Sequence, residues 1–447
     1  MGTDSPAPHD APEPPTALTT RHRRKVATVA ALASSLEWYD YFVFAVAGAL
    51  VFGPQFFPSD RPVTGVLASF ATFAVGFAAR PVGGIVAGHL GDRHGRKPML
   101  VWALVLMGLA TTAIGALPSY GTIGVAAPVL LVILRIVQGL ALGAQWGAAM
   151  LMTTEYAPPG KRGLYGSLVQ MGVPIGLVVA NTLFLVSSAA MSNDAFSSWG
   201  WRLPFLCGIL VLVLARYVHR HAEETPEFRE AERELAVEEK LHSPLRTVLR
   251  HHLGTVLLAG GSLAVNAATF YIIVTGVLDY ATRELGMARN SVLAVSLLVN
   301  VTQLALIPTA AAVSDRVGRL RIYAIGAFGV VAWAVPMFLL IDTGSLALLG
   351  IGIFIASCFV SIMYGPQAAL FAELFTTGMR YTGASLGYQL AAVLGGGLAP
   401  FVMVLLLEET GTSMSVAAYI IGLGLIALAS IAVLARRGAV PRPHGTG

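Results

Sequence analysis

Four ionisable side chains stand alone in long apolar stretches: Glu37 and Asp40 in one, Arg80 in the next, and Arg135 two stretches further on. A guanidinium is charged at any physiological pH and offers a planar fork that can grip a carboxylate through two parallel bonds. Arg135, Gln138, Leu142, Gln145 and Trp146 recur at helical spacing, so one cation, two amides and an indole share a stripe. Such a stripe suits the wall of a cavity for an anion; the alternative for Arg135 is a fixed pair with a carboxylate of the first stretch. Glu37 and Asp40 are three residues apart and share a helix face. Two carboxylates this close in a low dielectric cannot both ionise easily. Asp40 is therefore the first candidate proton carrier and Glu37 the second, against the alternative of an ion pair of Asp40 with Arg135 or Arg80. Arg80, next to Pro81, is as well suited to positioning a helix as to touching a solute.

Later in the chain, Asn266, Phe270, Tyr271, Tyr388 and Gln389 are polar or aromatic groups well inside apolar stretches. Single aromatics there are commonly packing, whereas amides surrounded by lipid need partners, which favours Asn266 and Gln389 as ligands. Tyr39, Trp146 and Tyr388 could stack on a ring or cage a quaternary ammonium. The chain has no Walker-type phosphate loop, nucleophile elbow or metalloprotease helix. Cys207 and Cys358 sit in apolar runs and give no metal or redox pattern. Neither a cofactor nor a metal is expected, and nothing points to an enzyme.

The elements that must position these groups are membrane helices. Of 447 residues, 55% are hydrophobic and only 12% charged, against about 25% charged in soluble domains. The mean hydropathy is +0.71. Twelve runs are long enough to cross a bilayer, at 26–53, 63–91, 97–118, 124–155, 162–190, 201–220, 252–280, 288–314, 319–341, 345–374, 381–407 and 413–435. Basic residues concentrate in alternate loops (Arg21–Lys25, Asp92–Lys97, Lys161-Arg162, Arg216–Arg250, Asp315–Arg321, Arg380, Arg436-Arg437), while the opposite loops have little beyond Arg61, Arg283 and Arg289. The positive-inside rule then puts both termini in the cytoplasm. The net charge of +5 reflects these loops and implies no affinity for nucleic acid. Residues 1–20, rich in Pro, Ala and Thr, read as a disordered tail. The predicted division is a six-helix bundle over 21–220, a charged cytoplasmic linker over 221–250, a second bundle over 251–437 and a tail over 438–447.

The halves echo one another. Gly88-His-Leu-Gly-Asp92-Arg93-His-Gly95-Arg96-Lys97 returns as Ala311-Ala-Val-Ser-Asp315-Arg316-Val-Gly318-Arg319, an offset of 223 residues (315 minus 92). Glu155 with Arg162 returns as Glu373 with Arg380, both shifted by 218 (373 minus 155). Repeats of hydrophobic units mark secondary transporters. Asp92 and Asp315 are placed to cap a helix N-terminus or accept from arginine, and the two Glu–Arg pairs are spaced to bridge one helix end to the next.

The first cassette resembles the loop between helices two and three of the major facilitator superfamily. Leu36-Glu37-Trp38-Tyr39-Asp40-Tyr41, Ala79-Arg80-Pro81-Val-Gly83-Gly84, Leu134-Arg135-Ile-Val-Gln138-Gly139, Trp199-Gly200-Trp201-Arg202-Leu-Pro204-Phe205 and Tyr381-Thr-Gly383-Ala-Ser385-Leu-Gly387-Tyr388-Gln389 resemble its metabolite:proton symporter family, which includes shikimate, α-ketoglutarate, citrate and proline/betaine carriers. The resemblance spans roughly 26–437. It implies an all-α membrane fold of twelve helices in two bundles, importing a small organic acid or zwitterion with a proton across a bacterial inner membrane, as a monomer. It also implies that Gly88, Asp92, Arg93, Gly95, Arg96, Glu155, Arg162, Asp315, Arg316, Arg319, Glu373 and Arg380 gate the cytoplasmic face. One departure stands out. Helix four reads Gly143-Ala144-Gln145-Trp146-Gly147-Ala148, where the family commonly has Gly-Gly-Glu-Trp-Gly-Gly. A neutral amide thus replaces an acid, which keeps an uncoupled facilitator or an antiporter open beside symport. A polytopic sensor is the other alternative, and it would want a signalling domain that the 221–250 segment and short tails do not offer.

Overall fold

The computed structural model describes residues 20–438 apart from 95, 144, 145, 147–149, 151, 152, 155, 156, 159, 222–247, 249 and 376–379. Ten helices are long and apolar enough to cross a membrane: α1 (Ser34–Phe56), α2 (Val63–Val86), α5 (Arg162–Ala189), α6 (Asn193–Val213), α7 (Leu253–Arg283), α8 (Arg289–Val317), α9 (Arg319–Ile341), α10 (Leu346–Glu373), α11 (Thr382–Thr410) and α12 (Met414–Arg436). Two shorter apolar helices, α3 (Val101–Ala116) and α4 (Ala126–Leu142), complete the twelve. No other spanning structure satisfies its own backbone in lipid except a closed barrel. Large apolar side chains such as Trp102, Val125, Leu210, Leu298 and Phe328 face outward, as a lipid-facing surface requires.

Within the first six helices α1 packs on α5, α2 on α4 and α3 on α6; within the last six, α7 packs on α12, α9 on α10, and α8 on α10. The two sets meet along α5 with α8 and α10, and along α2 with α11. The site therefore lies on a seam between halves.

The α2–α4 crossing sets the geometry of the seam. A Cβ on Gly139 would fall 2.2 Å from the carbonyl oxygen of Gly76, and one on Gly76 would fall 2.4 Å from Nε of Arg135. Only glycine lets the two backbones touch and the Arg135 side chain lie flat against α2. Gly139→Leu is expected to lower the thermal midpoint of the purified carrier by several degrees and to abolish transport, since overpacking costs about 1–3 kcal/mol even where neighbours can yield. An unchanged melt would show that the crossing tolerates separation.

The chain also departs from regular helix. Wide π turns occupy Gly48–Phe52, Phe196–Gly200, Ile272–Gly276 and Ala392–Gly397. The last two lie in α7 and α11 beside the seam, and π turns frequently mark functional positions. Helix α6 begins at Asn193 rather than at the predicted 201, because residues 193–200 continue the helix through one of these turns.

Candidate functional site

The groups singled out in the first half converge. Arg135 Nη1 donates to Gln138 Oε1 at 3.1 Å, and Gln138 Nε2 donates to Asp40 Oδ2 at 3.1 Å and Thr111 Oγ1 at 2.8 Å. All four residues are fully buried. Gln138 thus stands between cation and carboxylate; among the described residues no carboxylate lies within 4 Å of Arg135 or Arg80. A direct ion pair of Asp40 with either arginine, one of the sequence expectations, is absent. Arg135 Nε and Nη2 and Asp40 Oδ1 have no hydrogen-bond partner. The Arg135 guanidinium lies 4.2 Å from the ring centres of Tyr41 and Phe44, a desolvated cation held by aromatic faces.

Arg80 sits among a different set of rings. Its guanidinium carbon is 5.8, 5.5 and 5.7 Å from the ring centres of Trp38, Phe77 and Tyr388, and its Nε and Nη2 also lack partners. Glu37, one helical turn before Asp40 on α1, is buried as well. Trp38, Phe77 and Tyr388 line a cavity of about 40 Å³ that is completed chiefly by Asn266, Tyr271 and Gln303. The cavity takes residues from α1, α2, α5, α7, α8, α10 and α11, so both halves build it.

The structure places Arg80 among the rings of the cavity and Arg135 behind Tyr41. Asn266 and Tyr271 line the cavity, with Asn266 Nδ2 donating to the Val360 carbonyl at 2.9 Å. Tyr39 does not reach it; its hydroxyl donates to the Pro204 carbonyl and ties α1 to α6. Trp38, Gln303 and Tyr364 line the cavity without having been singled out. Gln303 carried the same signal as Asn266, an amide inside an apolar run. Gln145 lies outside the described residues.

At the end that bears the basic loops, the seam is closed in layers. Trp146 of the α4 segment stacks on Tyr388 of α11 at 4.0 Å and 8°, and its Nε1 donates to Gln170 Oε1 at 3.2 Å. Gln170 Nε2 reaches Gln367 Oε1 and the Tyr364 carbonyl, each at 3.4 Å, and Gln389 Nε2 reaches the Gly143 carbonyl at 3.4 Å. Nearer the end, Asp315 accepts from the backbone N–H groups of Gly163 (2.9 Å) and Leu164 (3.0 Å), so a carboxylate of the second half caps a helix of the first. Arg319 ties Asp315 (2.8 Å) to Glu373 (2.7 Å). Glu373 is thus engaged by Arg319. Arg162 and Arg316 are exposed. Gly95 and Glu155 lie outside the described residues, as do the side chains of Asp92, Arg93, Arg96 and Arg380, while the helix of Pro62–His94 runs through Gly88.

At the opposite end the halves are also joined. Arg61 pairs with Glu408, Arg289 Nη2 donates to Asn193 Oδ1 at 2.6 Å, Ser188 Oγ donates to Asn290 Oδ1 at 2.7 Å, and Asn181 Nδ2 reaches Ser296 Oγ at 3.4 Å. A cavity of about 780 Å³ opens there between the halves. A small central chamber with hydrogen-bonded closures at both ends is the arrangement an alternating-access carrier needs.

Comparison with known proteins agrees with this geometry. Residues 27–400 match the model of the Major Facilitator Superfamily. The chain is 38% identical over 406 residues to the shikimate transporter of Escherichia coli (90% of this chain, 92% of the relative). It is 31% identical over 411 residues to the glycine betaine/proline/ectoine/pipecolic acid transporter OusA of Dickeya dadantii (91% and 82%). The xylose transporter XylE of E. coli, in a partially occluded inward-open form, superposes with a TM-score of 0.72 at 17% identity, covering 96% of this chain and all of the other, a likeness of fold. Twelve apolar helices, a chamber built by both halves and relatives aligned along nearly the whole length make this chain a transporter of the major facilitator superfamily, within its metabolite:proton symporter family.

Proposed function

We propose that this protein imports a small organic acid together with a proton across a bacterial inner membrane, by alternating access between its halves. The observation that carries the reading is the Arg80 guanidinium, fully buried, with two N–H groups unpartnered, beside an aromatic chamber. A buried cation without a close counter-ion is costly, and an arriving carboxylate would offset that cost through charge-assisted bonds. The rings of Trp38, Phe77, Tyr271 and Tyr388 with the amides of Asn266 and Gln303 suit a ring-bearing, hydroxylated acid. The similarity to a shikimate transporter favours the same class. Similarity to carriers of betaine and proline keeps a carboxylate-bearing zwitterion as the second reading, the rings then facing its ammonium.

In this scheme the carboxylate binds Arg80. Asp40, linked to Arg135 through Gln138, carries the proton. In the same reading the Asp315 end, which bears the basic loops, faces the cytoplasm by the positive-inside rule, bundles over 21–220 and 251–437 are joined by the 221–250 linker, and the carrier works as a monomer. Asp315, Arg319 and Glu373 then hold the cytoplasmic side shut while solute enters from outside.

The test is external pH in lightly buffered, de-energised cells expressing the protein, on addition of shikimate, α-ketoglutarate, citrate, benzoate-type acids or betaine one at a time. Alkalinisation specific to one acid is expected. Uptake of labelled solute without a pH change would replace symport by facilitation or antiport, and no uptake of any acid or zwitterion would remove the substrate class.

A further inference from the structure

Three arginines line the 780 Å³ vestibule at the end where positive charge is scarce: Arg61, Arg283 and Arg289. Two are neutralised, Arg61 by Glu408 and Arg283 by Asp279 and Glu284. Arg289 is not. Among the described residues no carboxylate lies within 4 Å of it. Its Nη2 is held by the neutral amide oxygen of Asn193 at 2.6 Å, its guanidinium covers the Phe196 ring at 4.4 Å, and its Nε is buried without a partner. Arg289 belongs to α8 and Asn193 to α6, so this bond crosses the seam, and Asn290 beside it takes a second crossing bond from Ser188.

We propose that Arg289 is an entry site for the solute carboxylate, which displaces Asn193 from the guanidinium and so loosens the outer closure as it docks. The physical basis is the difference between acceptors. A carboxylate can take both prongs of the fork with charge assistance, whereas the Asn193 oxygen takes one N–H without it. The free Nε is the second prong. An uncompensated cation in a vestibule also draws anions from solution and loses that pull as salt screens it. Docking and gate release are then a single exchange of partners, and an uncharged solute would trigger neither.

The inference rests on the proposed function for its orientation and for the charge of the solute. The experiment is the initial influx rate against concentration of the transported acid, from low to physiological ionic strength, for the native carrier, Arg289→Gln, Arg289→Lys and Asn193→Ala. Influx KM of the native carrier should rise with salt. Arg289→Gln should raise KM about fivefold with kcat near native, the worth of one partly exposed charge contact, and should flatten the salt dependence. Asn193→Ala should lower KM, its competitor being gone, and KM for efflux from the opposite side should be native in every variant. An Arg289→Gln carrier with native KM and native salt dependence would overturn the proposal. If that variant fails to reach the membrane, Arg289→Lys decides: it keeps the salt dependence and loses the fork, so a native KM there overturns the proposal equally. A carried solute without negative charge would take the proposal and its substrate-class premise down together, whereas an anionic solute indifferent to Arg289 removes the entry site alone.

Discussion

Arg80→Gln is expected to reduce uptake of the acid by roughly 30- to 5000-fold in kcat/KM, the range for removing one side of a buried, charge-assisted contact. The same substitution should leave the thermal midpoint of the empty carrier unchanged or higher. That opposition of effects is what separates a binding group from a helix-positioning one. In the resting structure Arg80 is fully buried, lacks acceptors for Nε and Nη2, and has no carboxylate within 4 Å among the described residues. Its charge is therefore a net cost to the empty protein, offset in part by the rings of Trp38, Phe77 and Tyr388. A neutral amide of similar length removes the cost and, with it, the attraction for an anion. If Arg80 served only to hold α2 in place, stability and transport would fall together. Solute-dependent thermal stabilisation gives an independent reading: added acid should raise the midpoint of the native carrier and not that of the variant.

The contrast between Arg80 and Arg135 also marks the limit of what could be read from the sequence. Spans were legible because their signal is additive: α9 was predicted at 319–341 and is found at Arg319–Ile341, and α8, α10 and α12 fall within a few residues of expectation. A π turn has no such signal, which is why the start of α6 at Asn193 was missed. The site was legible in part. Lone charges in apolar runs are costly enough to announce themselves, and Glu37, Asp40, Arg80 and Arg135 do lie together on the seam side of the first half. Which of the two arginines lies beside the cavity was not legible, because it depends on which face of α2 and α4 meets α11. The Gly76–Gly139 crossing decides that, by pressing Arg135 against α2 behind Tyr41 while Arg80 emerges beside Tyr388. Tyr39 shows the converse: its neighbours in sequence serve the seam, yet its own hydroxyl is used to hold α6. Asp315 shows a third limit. The repeat reads Asp315 as capping a helix N-terminus or accepting from arginine without naming the helix; its partners, Gly163 and Leu164, belong to the other half, and pairing across a seam leaves no trace in spacing.

Asp40→Asn is expected to abolish accumulation while preserving exchange. A carrier that moves one proton with each singly charged acid can concentrate it about tenfold per unit of pH difference across the membrane, since one pH unit is worth 1.36 kcal/mol. With no titrating group in the coupled position that gradient does no work, and the internal concentration should settle at the level that leak and exchange allow. Geometry makes Asn the right probe. Gln138 Nε2 can donate to an amide oxygen as it does to Asp40 Oδ2, and the Arg135–Gln138 bond is undisturbed, so the seam keeps its shape with the carboxyl held permanently uncharged. The sign of the pH response follows. Loading from outside requires a proton on Asp40, so native influx should fall as external pH rises, and the Asn variant should lose that dependence. Counterflow of labelled against unlabelled acid should proceed in the variant at a rate near native, because exchange returns the carrier with its solute and needs no proton to leave. A variant that accumulated the acid normally would transfer the proton role to Glu37, the other buried carboxylate of α1, and would remove the relay through Gln138 from the coupling path.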